Sequence, residues 1–236
     1  MPDLTHEDII HLYRIFSSPI LDIHCGEKCK VYNEHHSPFC CDIHSVIPSA
    51  YYAEWDYLRN QTSLWQLYKP DDCKKQNLIS EYLPENQVPI ICQGHEKCQR
   101  EFRSISCRSF PFFPYIDQKG DFIGLTYYWE YEDCCWLINH LHLVSPRFRD
   151  EFVAAYEYLM KKDNQEFANF RYQSIIMRRV FGKKKRSIPL IGRASTPQLQ
   201  FYKVSSRNGR MRKVDANAFG KFGYYYYSNK LPFPDE

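Results

Sequence analysis

Apolar residues recur at helical spacing in several stretches of this chain. After Thr5-His6-Glu7-Asp8, which reads as a capping signal, Ile9, Leu12, Tyr13 and Phe16 share one helix face, and Ser17-Ser18-Pro19 ends it. Pro48-Ser49 opens a second helix with Tyr51, Tyr52, Trp55 and Leu58 along one side. Ser145-Pro146 starts a third, whose buried stripe is Phe148, Phe152, Ala155, Tyr156 and Leu159. Another runs from Asn164 to Phe181 and closes at Gly182. Phe110 to Ile116 and Phe122 to Trp129 read as strands joined by the turn Asp117-Gln118-Lys119-Gly120-Asp121. Leu199 to Val204 alternates like a strand, Asn208-Gly209 is a hairpin-type turn, and Arg210 to Val214 returns. From His24 to Ile47 no period emerges, and the histidines, cysteines and Pro38 predict an irregular loop. Together these predict an α+β fold: a small irregular core organised by cysteines, several helices and a short antiparallel sheet.

The chain is 44% hydrophobic and 17% aromatic, which excludes wholesale disorder. No run approaches the length of apolar residues that a membrane helix requires. The N-terminus is polar and acidic, unlike a secretory leader, so a reducing, cytoplasmic location is expected. Charge changes near Gly182: Lys183 to Glu236 holds twelve Lys/Arg against three acids, while the preceding residues hold nineteen against twenty-five. This divides the chain into a cysteine-rich domain, residues 1–182, and a basic, aromatic-rich segment, residues 183–236.

In a reducing compartment, ten cysteines point to metal or catalysis before disulfides. They group as Cys25-x3-Cys29-x10-Cys40-Cys41, then Cys92-x5-Cys98-x8-Cys107, then Cys134-Cys135, with Cys73 apart. A thiolate site needs about four soft ligands converging on zinc or on the irons of a cluster. Gly26 allows a tight turn that points Cys25 and Cys29 inward. Neighbouring residues of an extended segment face opposite ways, so one member of each Cys-Cys pair is expected to ligate. No C-x2-C knuckle exists, which excludes zinc ribbons, bacterial ferredoxin runs and dithiol redox motifs.

The cluster from Cys25 to Cys41, followed by Cys107-Arg108-Ser109-Phe110-Pro111, resembles the zinc- or iron-chelating cysteine-cluster proteins of the CxxCxxCC, or YkgJ, type. Those carry an early cluster ending in Cys-Cys and a later CRxFP signature. The resemblance covers roughly residues 20–136, and departs in the ten residues between Cys29 and Cys40. Flagellin lysine N-methylases are similar in cysteine arrangement. The resemblance implies a metal centre, an iron–sulfur cluster (4Fe-4S ahead of other types) or zinc. Its implied ligands are Cys25, Cys29, Cys40, Cys41 and Cys107, with Cys92, Cys98 and Cys134 completing the candidate set. Arg108 is expected to favour the Cys107 thiolate.

The histidines near these clusters, His24, His35, His36, His44 and His95, with His140 and His142, read as exposed or structural rather than as ligands. Glu130, Glu132 and Asp133 read as a solvated acidic loop. No phosphate-binding loop, nucleophile elbow or His-Glu-x-x-His motif names an enzyme. Two other readings stay open. One is a protein-modifying enzyme resembling the flagellin lysine N-methylases, acting on a protein or small-molecule substrate. The other is a zinc module whose residues 183–236, basic and ending near Tyr224 to Tyr227, bind nucleic acid. No membrane partner is expected.

Overall fold

Helix α1 (His6–Ile15) begins with the expected capping box: Thr5 Oγ1 accepts from Asp8 N, and the Asp8 carboxylate accepts from Thr5 N. The structure is a computed structural model that describes residues 4–219, so the Tyr224 to Tyr227 run lies outside the described residues. Helix α2 (Gly26–Cys29) is a single turn, followed by strand β1 (Ser49–Tyr51) and helix α3 (Tyr52–Gln61). Strand β2 (Trp65–Leu67), helix α4 (Cys73–Tyr82) and strand β3 (Gln87–Cys92) follow. The second predicted helix therefore starts at Tyr52, because Ser49–Tyr51 is taken into a sheet. That sheet, in the order β1-β3-β2, is antiparallel throughout.

Helix α5 (Ile105–Ser109) leads through a cis Phe110–Pro111 bond into strands β4 (Phe112–Ile116) and β5 (Phe122–Tyr127). Helices α6 (Pro146–Lys162) and α7 (Asn164–Lys183) start at Ser145 and Asp163, whose side chains accept from backbone N–H groups of the first turn. Strands β6 (Ile188–Gly192), β7 (Phe201–Val204) and β8 (Met211–Val214) then complete a five-stranded antiparallel sheet in the order β4-β5-β6-β7-β8. The α+β character is thus present, with two sheets.

Both faces of the larger sheet are covered, which is why β4 and β6 are buried at every residue. Phe112 and Ile116 join the core built with Phe148 and Phe152 of α6. Phe113 and Tyr115, of opposite parity, pack with Met177 and Phe181 of α7 and with Ile188, Leu190 and Val204. The strands beyond Gly182 thus contribute side chains to both cores. Where β5 meets β6, a Cβ on Gly124 would lie 2.2 Å from the Ile191 carbonyl oxygen, so only glycine fits.

Candidate metal centre

Short irregular elements carry the cysteines, and local bonds fix each one. Cys25 caps α2 and Cys29 ends it. Gly26 sits between them because a Cβ there would reach Pro38 Cγ at 2.7 Å. Pro38 in turn starts the 3-10 turn Phe39–Cys41, which carries Cys40 and Cys41. Because this segment is a 3-10 turn rather than extended chain, the two sulfurs are 3.9 Å apart on one side. Cys92 is the last residue of β3, held opposite Trp65. Cys107 lies in α5, where Ser104 Oγ accepts from its backbone N–H at 3.2 Å. Glu54 accepts from Ile105 N at 2.7 Å, and Ser106 Oγ donates to the Ser49 carbonyl at 2.6 Å, pinning α5 to α3 and β1. Cys134 and Cys135 lie in the turns between Tyr131 and Trp136.

These separate segments bring nine of the ten cysteines into one neighbourhood. Cys41 is its hub, within electrostatic reach of Cys25, Cys29, Cys40, Cys92 and Cys107. Cys98 faces Cys92 and Cys107, while Cys134 and Cys135 approach Cys29. Cys25, Cys29, Cys40 and Cys135 also line one small internal cavity. Cys73, the exposed first residue of α4, stands apart. All ten are free thiols.

Burial pushes Cys29 up to about 11, and Cys107 and Cys134 up to about 12. Cys41 goes the other way, lowered by its hydrogen bond with Cys40 against the effect of burial, with Arg103 assisting. Arg103 donates from Nε to Cys98 Sγ at 3.0 Å. Burial disfavours its charge, but Cys107, Cys98 and Cys41 more than offset this and hold it protonated above its ordinary range. Arg108 is within electrostatic reach of Cys107, as expected, but its hydrogen bonds go elsewhere. Its guanidinium donates to the carbonyls of Arg103, Glu101 and Phe16 and lies over the Tyr13 ring at 4.1 Å. Sequence reasoning misses Arg103, because the spacing Cys98-x4-Arg103 carries no motif. Cys135 is not singled out within its pair by sequence, and it lies in a turn within electrostatic reach of Cys25 and Cys29.

A cavity of about 810 Å³ opens beside the cluster. Cys25, Cys40, Cys41 and Cys107 line it together with Arg103. Its remaining wall is aromatic and acidic, with Tyr51, Tyr128, Tyr156, Glu54 and Glu166. Burial lifts Glu54 and Glu166 to about 7 each. Of the acidic loop, Glu132 is buried and takes both Nη atoms of Arg186, at 2.7 and 2.8 Å, so it is no part of a solvated face. Lys183, Lys184, Lys185, Arg210, Arg212 and Lys213 are exposed. Among the described residues no helix is long and apolar enough to cross a membrane.

No family model, no curated protein and no solved structure matches the chain, so the functional reading rests on these residues.

Proposed function

We propose that this chain holds a metal centre through cysteine thiolates, and that the centre is an iron–sulfur cluster rather than zinc. The carrying observation is the meeting of nine cysteines, drawn from segments between Cys25 and Cys135, with the Arg103 guanidinium among Cys25, Cys41, Cys98 and Cys107 and a cavity alongside. A soft, all-sulfur donor set suits iron–sulfur clusters or zinc and excludes the hard cations.

Donor number and the resemblance of the Cys25–Cys41 and Cys107–Pro111 segments to cysteine-cluster proteins support iron. One zinc ion takes four thiolates, whereas a cluster binds each thiolate to a different iron and so accepts a wider set. Nine thiols also exceed what one cluster uses, leaving some to pack. When bound, such a group supplies electron transfer or Lewis-acid chemistry at the cavity wall, and the cavity suits a substrate brought against it.

The test is anaerobic purification with iron, acid-labile sulfide and zinc measured per chain. Stoichiometric iron and sulfide with broad visible absorption supports the reading. Stoichiometric zinc in a colourless protein replaces it with a structural zinc site, and absence of both overturns it.

A further inference from the structure

The loop that presents Cys40 and Cys41 gathers a second, chemically different donor set on its outer side. His35, Asp42 and His44 each bring one ligand atom, and these atoms all lie within 4.8 Å of one another. The His35 and His44 rings are 4.6 Å apart. The Asp42 side chain is buried, while both imidazoles reach solvent.

We infer that His35, Asp42 and His44 form a binding site for a divalent zinc-class ion, separate from the cysteine cluster and open to solvent. Two imidazoles and one carboxylate are a donor set that such ions take, and three protein ligands leave a position for water or an external ligand. The carboxylate is already oriented as metal-bound carboxylates are. Asn33 Nδ2 and Ser45 Oγ donate to its Oδ2, each at 3.1 Å, and the backbone N–H of His44 donates to Oδ1 at 3.0 Å. His35 Nδ1 lies 2.9 Å from Oδ2. Nitrogen and oxygen ligands on one tetrahedral ion are about 3.4 Å apart, so this pair has only to open by a fraction of an ångström. All three ligands come from ten residues of one loop, so little chain entropy opposes their assembly.

A plain His35–Asp42 hydrogen bond explains that pair and, among the described residues, leaves the His44 ring only its contact with the His35 ring. His44 is therefore the discriminating residue, and its exposure lets His44→Ala fold. The experiment titrates cobalt(II) into full-length protein purified anaerobically with its native metal content and measures binding optically and by calorimetry. The expected result is one equivalent with d–d absorption and no thiolate-to-cobalt charge transfer. His44→Ala and His35→Ala should each weaken it at least roughly tenfold, and Ser45→Ala by a smaller factor. Iron, sulfide and zinc content of the cysteine site should not change in His44→Ala. His142→Ala is the control and should bind as the native protein does. Lack of stoichiometric binding, a thiolate band in place of the histidine-type spectrum, or full binding by His44→Ala overturns the site. Because the readout is cobalt on nitrogen and oxygen ligands, it stands or falls apart from the iron–sulfur reading.

Discussion

The Nε atom of Arg103 donates to the sulfur of Cys98 across 3.0 Å, placing a half-buried cation among Cys41, Cys98 and Cys107. A guanidinium at this distance stabilises thiolate over thiol and offsets the negative charge of a thiolate-ligated group. Arg103→Met should lower bound metal per chain substantially, and Arg103→Lys should restore part of it. Metal analysis after gel filtration decides this, with circular dichroism showing that the fold survives. Undiminished metal in Arg103→Met would mean that the residue only packs.

The cysteines should separate by position. Cys25→Ser, Cys29→Ser and Cys107→Ser should each abolish metal retention, because each removes a thiol from the converged set. Cys73→Ser should retain it in full, since Cys73 is exposed at the start of α4 and outside the set. Loss on changing Cys73 together with retention on changing Cys107 would reverse the assignment.

Glu166 should shape the pH dependence of stability. Burial raises it from an ordinary 4.5 to about 7, so the folded state prefers its neutral form. A carboxyl raised in this way contributes fully below its unfolded value, and the contribution is lost as pH rises through the folded one. Every tenfold difference in proton affinity between the two states corresponds to about 1.4 kcal/mol. Native protein should therefore lose stability between pH 5 and 8, and Glu166→Gln, which stays neutral, should show a shallower loss. Urea midpoints across that range check it; parallel profiles would show that the carboxyl ionises freely.

The ion pair between Arg186 and Glu132 ties the segment entering β6 to the turn that holds Cys134 and Cys135. Glu132 is 6% exposed and, among the described residues, keeps only the Tyr127 hydroxyl as a donor, so Arg186→Met leaves a buried carboxylate without its cation. A loss of roughly 3 kcal/mol is expected from breaking such a pair. The double variant Arg186→Met with Glu132→Gln should recover part of it, as measured by denaturant unfolding. If Arg186→Met unfolds as the native protein does, the pair is not contributing.

Much of this architecture is legible in particular residues. Thr5 and Asp8 announce α1, Ser145-Pro146 announces α6, and the aromatic run Phe110 to Ile116 announces β4. What escapes has physical causes. The run Ile188–Gly192 contains Pro189 and is buried on both faces, so it shows no alternation to read. Strands β1 and β2 are three residues each, too short for any period. The charge change at Gly182 marks the end of a helix, and charge carries no information about strands that re-enter a sheet. In the candidate centre, cysteine grouping is readable because ligands cluster in sequence. Arg103 is not, because its role depends on a turn bringing it back to Cys98.

Strand order has a consequence for how the chain is made. Every cysteine precedes Ile188, whereas the strands that cover the β5 edge follow it. As the chain leaves the ribosome, the whole thiol set emerges while β5 still offers a bare edge to other polypeptides. Ile191 and Phe201 of those late strands also enter the core against which the cysteines pack, so the thiol set is complete in sequence before its surroundings are complete in space. Slow synthesis past residue 187 would show first as insoluble protein.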